Sequence, residues 1–330
     1  MNQSRSLTYI SWAANCSRSD HTARELGGSS HMVYWEAIGS SLLTIWLKYL
    51  DQAFRTWRIL LKERPSVVFV MAPPPFAPLI VLPYCLIFGA SLVIDAHSGA
   101  FVNRRWRYFQ WLQHWLCRRA VTTIVHNEHL KQLVEEHGGH AILVTDVPVR
   151  FEQTERYTLS SGFNVAVVCS FAPDEPIAEI LAAASRLPGI RFYVTGNPKH
   201  LDADLKRSIP ANVTLTGFLP DGAYGSLLQN ADVVMSLTKQ DHTMLRGAWE
   251  AAYQGTPVVI SDWPLLRAAF DTGAVHVDNS PDGIAQGILE IQRNQAGYRE
   301  GARALMHRKE QRWQATRDAI IARMPAPPAT

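Results

Sequence analysis

Residues 232–262 read DVVMSLTKQDHTMLRGAWEAAYQGTPVVISD, and their reading decides the fold. An apolar β-branched run, DVVMSLT, is followed by a polar turn, KQDHTM. The helix-forming stretch LRGAWEAAYQG stops at Gly255, Pro257 follows, and a second β-branched run begins. A strand, a helix and a second strand with apolar residues on both faces make a βαβ unit of a parallel sheet. One acid, Glu250, lies among small and apolar neighbours one turn inside that helix. The amides around Thr243 to Gly247 open the helix, where its dipole favours an anion such as a diphosphate. Arg246 adds a forked cation suited to phosphate oxygens, and Gly247 lets a ligand come close to the backbone. Glu250 then either accepts two hydrogen bonds from a vicinal diol such as a ribose or caps a loop amide of a helix packed on its sheet.

Outward from this unit, the same alternation fills the chain. The N-terminal half runs SLTYISW, the helix HTAREL, HMVYW, and a long helix from about Ser41 to Lys62. Leu43, Leu47, Leu50, Phe54, Trp57 and Leu61 trace one stripe along that helix. SVVFVM, a proline-led helix, SLVIDAHS, an aromatic helix over 104–119, VTTIVHN, EHLKQLVEEHG and AILVTDVP complete that half. The polar stretch RFEQTERYTLSSG after Val149 reads as an interdomain linker. Beyond it FNVAVVCS, IAEILAAASRL, IRFYVTG, NVTLTGFL and AYGSLLQNA lead back to the opening unit. The expectation is an α/β protein of two doubly wound, Rossmann-like domains facing across a cleft, residues 1–150 and 151–330, with the last helix able to pack back on the first domain.

Composition agrees and narrows the function classes. The chain has 330 residues, 47% of them apolar and 18% charged, which suits a folded protein long enough for two cores. Its net charge of +3 is uneven: residues 1–150 hold 15 Lys and Arg against 10 Asp and Glu. A modest basic excess in one half suits a phosphate or an anionic lipid surface more than bulk nucleic acid. Pro65 to Ile94 carries no charge, but five prolines after Pro65 and two changes of period make it the core of a parallel sheet rather than a membrane span. Cys16, Cys85, Cys117 and Cys169 are scattered and read as buried free thiols of a reducing compartment. No charged-then-apolar leader opens the chain, and no G-x-G-x-x-G follows the first strand, which disfavours a Rossmann dehydrogenase. His126 with His129, and His137 with His140, read as partly solvated histidines beside a charged helix rather than metal ligands.

The segment 232–262 resembles the donor-binding segment of GT-B glycosyltransferases, particularly the family 4-like group. The family pattern is a strand, an acid, seven residues, a second acid, small residues, Gly, then x-Pro-Val-Val. Glu250 matches the second acid, which the resemblance assigns to the ribose of a nucleotide sugar. The first acid falls on His242, with Asp241 one residue off, so the donor sugar is left open. NVTLTGFLP resembles the turn whose backbone holds the base, at Phe218 and Leu219. FYVTG resembles the preceding cleft-edge strand, ending at Gly196, and VIDAHSGAF resembles the element lining the acceptor side. Retaining members carry an Arg and a Lys after the first strand of the second domain. Here that loop reads CSFAPDEP, with Asp174 and Glu175 and no cation, which leans towards inversion.

Inverting transfer needs a base for the acceptor hydroxyl and positive or dipolar groups for the departing diphosphate. Asp20, with His21 behind it, is the first candidate base; the alternative is that Asp20 or Ser19 caps the helix that starts there. His97 ends a strand, where it polarises a hydroxyl or is a structural histidine bonded to Asp95. Arg18 and Ser98 are candidates for the acceptor side, Arg18 for an acceptor phosphate. No metal or other cofactor is expected. In NRRWRYFQWLQHWLCRR, residues 103–119, Tyr108, Phe109, Trp111, Leu112, Trp115 and Leu116 share an arc with Arg at both ends, which suits an anionic membrane surface or a helix packed on its sheet. The resemblance implies a cytoplasmic, membrane-peripheral enzyme moving a sugar from a nucleotide diphosphate donor to a lipid-linked saccharide in surface polysaccharide assembly. A non-catalytic nucleotide-sugar-binding subunit, or an epimerase or hydrolase on the same fold, are the alternatives.

Overall fold

A computed structural model describes residues 6–35, 44–152, 154–241 and 243–324. The chain divides into two units, residues 1–148 together with 312–330, and residues 149–311.

The first unit winds β1 (Leu7–Ser11), α1 (Ser17–Glu25), β2 (Ser29–Met32), α2 (Ile45–Glu63), β3 (Val67–Ala72), α3 (Phe76–Phe88) and β4 (Ser91–Ala96). The short α4 (Gly99–Val102), α5 (Gln110–Arg119), β5 (Thr122–Val125), α6 (Glu128–Glu136) and β6 (Ala141–Leu143) follow. All strands pair in parallel, in the order β2-β1-β3-β4-β5-β6. The chain moves outward from β1 to β2 and returns on the other side, so the switch point falls between β1 and β3. Every residue of β3 and β4 is buried, which is why the uncharged run from Pro65 to Ile94 is a sheet core. Among the described residues no helix is long and apolar enough to cross a membrane.

Three local expectations change here. The first helix starts at Ser17 rather than near His21, so Ser19 and Asp20 lie inside it; its N-cap is Cys16, without a side-chain hydrogen bond. The 104–119 segment is not one α-helix: residues Arg104–Phe109 form a 3₁₀ turn and α5 begins at Gln110. The change of period splits the expected arc, burying Leu112 and Leu116 and exposing Tyr108 and Trp111. The apolar stripe of α2 is also turned: Gln52, Thr56 and Leu60 are its buried residues, while Leu47, Leu50, Phe54 and Leu61 are exposed. The expected start of that helix at Ser41, and Leu43, lie outside the described residues.

The second unit winds β7 (Phe163–Val167), α7 (Ile177–Ser185), β8 (Ile190–Thr195), α8 (Ala203–Arg207), β9 (Val213–Gly217), α9 (Asp221–Asn230) and β10 (Val233–Ser236). It continues through α10 (Arg246–Tyr253), β11 (Val258–Ser261), α11 (Pro264–Ala269), β12 (Ala274–Val277), α12 (Pro281–Arg293) and α13 (Gln295–Arg323). Its sheet is parallel, in the order β12-β11-β10-β7-β8-β9, with the switch point between β10 and β7. The boundary between the units falls within α13, whose residues beyond Gln311 belong to the first. The stretch expected as a linker packs along the second unit instead. Phe151, Tyr157 and Leu159 lie on its core, and the Tyr157 amide donates to Ser226 Oγ at 3.0 Å. Its aromatic residues found apolar cover that its polar composition concealed.

Candidate functional site

The four-residue strand β10 is buried throughout and delivers the chain to the switch point, after which α10 turns back over the sheet. The fit needs Gly247. A Cβ there would lie 2.6 Å from Val168 Cγ1, so this glycine lets the helix press against the strand end, and it also lines the cavity described next. Leu245 is the N-cap and makes no side-chain hydrogen bond to the first-turn amides of α10. Thr243 lies before the helix, outside its first turn, and His242 lies outside the described residues.

Over this helix end opens a cavity of about 590 Å³. Its lining gathers the C-terminal ends of the strands: Cys169 and Ser170 after β7, Thr195 to Asn197 after β8, Gly217 to Leu219 after β9, and Ser236 of β10. Arg246, Gly247 and Glu250 come from α10, and Tyr224 from α9. Five of the residues read from the sequence as donor-binding, Gly196, Phe218, Leu219, Arg246 and Gly247, thus share one wall with Glu250. Gly196 holds a φ of 96°, and a Cβ there would collide with the Cys169 carbonyl, so this rim of the cavity requires glycine. Phe218 is 87% exposed and presents its ring, not only its backbone. A larger open groove, about 900 Å³, lies at the opposite ends of β7 and β10, beside Asn164 and Asp232.

Glu250 is 3% exposed, and among the described residues its carboxylate bonds to side chains rather than to a loop amide. The Tyr224 hydroxyl donates to its Oε2 at 2.6 Å, and Arg246 Nε donates to its Oε1 at 2.6 Å. Burial and the neighbouring Glu250 charge push the Tyr224 hydroxyl well above its usual range, so it remains a donor. Each carboxylate oxygen keeps one further lone pair for a ligand hydroxyl. Arg246 is itself largely exposed, so its remaining N–H groups are free to turn towards an anion.

The loop after β7 carries no cation, as its sequence states. Glu175 turns back on it, accepting from the amides of Ser170 at 3.0 Å and Ala172 at 2.8 Å, and Asp174 accepts from Thr238 Oγ1 at 3.1 Å. Positive character at this cavity therefore comes from Arg246 and the α10 amides, with His200 also on the wall. Tyr224, His200 and Asn197 were not singled out from the sequence. Only the tertiary fold sets α9 against α10, so no local pattern announces Tyr224.

In the first unit a second polar cluster sits at the ends of β1, β4 and β5. Asp95 is fully buried; its Oδ2 accepts from the Tyr9 hydroxyl at 2.6 Å and from Arg18 Nε at 3.1 Å, and His97 Nε2 stands 3.9 Å away. Burial alone would raise this carboxyl, but Arg18, His97, His126 and the Tyr9 hydroxyl hold it below the usual range. Burial lowers His97, yet its bond to Cys16 and the Asp95 charge carry it above an ordinary imidazole, while Cys16 is lowered by the same bond. Burial and the Arg18 charge drive His126 down to about 4, so it is neutral near pH 7.

Arg18 and His97 are thus brought together around Asp95. Asp20 is not part of that group: its carboxylate accepts from Ser30 Oγ on β2, at the sheet edge, because β2 lies on the far side of β1. Ser98 precedes α4 and makes no side-chain cap. His126 pairs across adjacent strands with His97, ring centroids 5.2 Å apart, rather than with the sequence neighbour His129. Asp95, His97 and His126 place ligand atoms within 4.8 Å of one another, the group among the described residues that could hold a metal ion. Asp95 Oδ1, His97 Nε2 and His126 Nδ1 are buried without hydrogen bonds. Arg18 already balances the carboxylate, however, and would repel a cation placed there.

Residues 175–321, nearly all of the second unit beyond β7, match a family model described as glycosyl transferase-like. No curated protein sequence matches the chain. Among solved structures, the chain is similar to sucrose-phosphate synthase from Thermosynechococcus elongatus, with a TM-score of 0.64 and 13% identity over 96% of this chain and 100% of that one. It is similar to Anabaena Alr3699/HepE in complex with UDP-glucose, with a TM-score of 0.61 and 12% identity over 96% and 99%. It is also similar to UDP-GlcNAc 2-epimerase from Neisseria meningitidis bound to UDP-GlcNAc, with a TM-score of 0.59 and 12% identity over 90% and 93%. The fold is therefore GT-B, two Rossmann-like units each with a parallel six-stranded sheet. The family match over residues 175–321 supports a glycosyltransferase.

Proposed function

We propose that the protein transfers a sugar from a nucleoside diphosphate sugar to a lipid-linked saccharide during surface polysaccharide assembly, with inversion and without a metal, at the inner face of the plasma membrane. The observation that carries this reading is Glu250, a buried carboxylate held by Tyr224 and Arg246 on the wall of a cavity that the uncapped end of α10 opens. The ribose hydroxyls would donate to the two remaining lone pairs of Glu250. The diphosphate would rest on the first-turn amides of α10 with Arg246 turned onto it, and the base would lie against Phe218 and Leu219.

The acceptor would be handled by the first unit. Its hydroxyl oxygen bonds to the anomeric carbon as the bond from that carbon to the diphosphate breaks. Asp20, at the β1–β2 edge and apart from the Asp95 group, would take the proton of the reacting hydroxyl, and the negative charge leaves on the nucleoside diphosphate, steadied by Arg246 and the helix amides. His97, raised above an ordinary imidazole, serves as a hydrogen-bond donor to the acceptor, with Arg18 and Ser98 beside it. Arg-rich residues 103–119 would meet the anionic membrane that carries the acceptor. That Anabaena HepE was solved with UDP-glucose supports a nucleotide-sugar donor.

Thermal-shift and calorimetric screening against nucleoside diphosphates and their sugars tests the donor half; a stabilising ligand is expected, and none would overturn the reading. Nucleotide release with and without membranes tests the transfer half. Release that depends on membranes is expected. Release without any acceptor would instead make the protein an epimerase or hydrolase, and binding without release would make it a non-catalytic subunit.

A further inference from the structure

Helix α2 has apolar residues on both faces: Tyr49, Ala53, Trp57, Ile59 and Leu60 pack on the core with Gln52 and Thr56 among them, and a second apolar set faces out. An amphipathic helix on a sheet ordinarily buries its apolar stripe. Here the polar residues Gln52 and Thr56 face inward, Gln52 Nε2 donating to the Val33 carbonyl at 2.7 Å while its Oε1 is buried without a partner, and Trp12 Nε1 donating to Thr56 Oγ1 at 3.0 Å. The stripe beside them faces out: Trp46, Leu50 and Phe54 are 62%, 67% and 63% exposed, with Leu47 and Leu61 alongside. A single exposed leucine is ordinary. Five large apolar side chains exposed along one helix while glutamine and threonine are buried mark a face that meets something apolar.

The surface is continuous with its neighbours. Trp57 meets Tyr84, and Tyr84 meets Phe88, at centroid distances of 6.2 and 4.8 Å, so the exposed end of α3, Leu86 to Phe88, adjoins the stripe. At the other end Trp46 meets Phe76, and Phe76 meets Phe109 at 5.0 Å, joining the stripe to the segment with exposed Tyr108 and Trp111.

Its charge identifies the occupant. Residues 45–64 hold Lys48, Arg55, Arg58, Lys62 and Arg64 against Asp51 and Glu63, and residues 104–119 hold five arginines and no acid. The arginines lie on the exposed rings: Arg58 is 5.8 Å from the Phe54 ring centroid and Arg107 is 4.4 Å from that of Tyr108. Rings and leucines flanked by arginine match the boundary between acyl chains and anionic headgroups. A second copy packed on the same face by two-fold symmetry would set these cations against each other, which disfavours a dimer as the occupant.

The geometry points to α2 as the principal seat of the protein on an anionic lipid bilayer. Its stripe enters the headgroup and acyl boundary, the end of α3 lies beside it, and residues 104–111 supply the basic rim. This extends the reading above, in which the acceptor is lipid-linked, but moves most of the apolar contact from residues 103–119 to α2.

The test uses the full chain and vesicles of phosphatidylcholine with and without phosphatidylglycerol. Binding is expected at low salt to the anionic vesicles and weakening as salt is raised. A double variant, Leu50→Glu with Phe54→Glu, alters only exposed side chains and should lower the bound fraction at least about tenfold, since it removes apolar area and adds repulsion. Arg104→Glu with Arg105→Glu should weaken binding to anionic vesicles by a smaller factor. Wild-type protein left in the supernatant at low salt overturns the proposal, as does a double α2 variant that binds like wild type. So does a concentration-dependent dimer that the same variant abolishes. Nucleotide binding, followed by thermal shift in the same preparations, should be unchanged in both variants. Its absence from wild type would remove the proposed function while leaving the vesicle result to stand by itself.

Discussion

Each unit of this protein builds the same trio at the C-terminal ends of its strands: a buried carboxylate, a tyrosine hydroxyl at 2.6 Å and an arginine Nε. In the first unit these are Asp95, Tyr9 and Arg18; in the second, Glu250, Tyr224 and Arg246. The surroundings separate them. Asp95 belongs to a strand, is enclosed by two imidazoles, and Arg18 also donates to the Val144 carbonyl at 3.3 Å. Glu250 belongs to a helix, lines a cavity, and its arginine is 67% exposed. One carboxylate is enclosed, its Oδ2 held by Tyr9 and Arg18 and its Oδ1 buried without a partner, and the other keeps a face towards the cavity. Chemistry of the trio alone does not distinguish a positioning group from a binding one; the freedom of the arginine does.

The largest effect that would break this comparison is on stability. Asp95→Asn leaves Arg18 facing no charge in a site with no room to rearrange, and should cost about 3 kcal/mol, the lower end for breaking a buried pair because Arg18 is partly exposed. Chemical denaturation should show that loss while nucleotide affinity of the folded protein stays at the wild-type value. A variant as stable as wild type would mean that the Asp95 trio is not locked.

Next comes pH. The folded protein holds His126 at about 4 against 6.5 for a free imidazole, so between those values the unfolded chain binds more protons. Stability from this group is fully present above 6.5 and is lost as pH falls through about 4, a total of roughly 3 kcal/mol. His97, raised by Cys16 and Asp95, works in the opposite sense: its contribution is complete below 6.5 and disappears as pH rises through its folded value. His126→Gln should therefore flatten the acid limb of a stability profile and leave the alkaline limb. An unchanged acid limb would assign it to other groups.

Much of this was written locally. The βαβ alternation, the uncharged run from Pro65 and the strand, turn and helix around Glu250 each carry their signal within a window of ten residues or so, whereas the strand order comes only from the structure. The Glu250 wall was legible because Arg246, Gly247 and Glu250 share one helix. What escaped depends on contacts across the sheet. His126 reads as half of a pair with His129 until β4 and β5 lie side by side and hand it to His97. Tyr224 is an aromatic in an unremarkable helix until α9 meets α10. The close packing of Gly247 on Val168 escaped for the same reason, since Val168 is seventy-nine positions away in sequence. The stripe of α2 was visible as a stripe, but periodicity states only that a helix has two faces, and burial of Gln52 and Thr56 decided which one is inside.

The smaller effects concern the second trio and sharpen what its open face is for. Glu250→Gln keeps shape and removes charge, so a nucleoside diphosphate should bind about tenfold to a hundredfold more weakly, the range for a hydrogen bond to a charged group, and calorimetry reads it directly. Equal binding would sink the ribose assignment. Tyr224→Phe removes only the hydroxyl on Oε2 and leaves the ring against Phe151, at a centroid distance of 5.4 Å. If the phenol merely fills space, nucleotide affinity will not change. If it holds the carboxylate in the orientation that presents both oxygens, affinity should fall by about three- to tenfold, because the carboxylate must be reordered each time a ligand binds. Glu250→Gln combined with Tyr224→Phe should then cost less than the sum of the two, since both act through one oxygen pair. Strict additivity would show that Tyr224 and Glu250 serve the ligand independently, and the likeness of this trio to the one around Asp95 would end at its geometry.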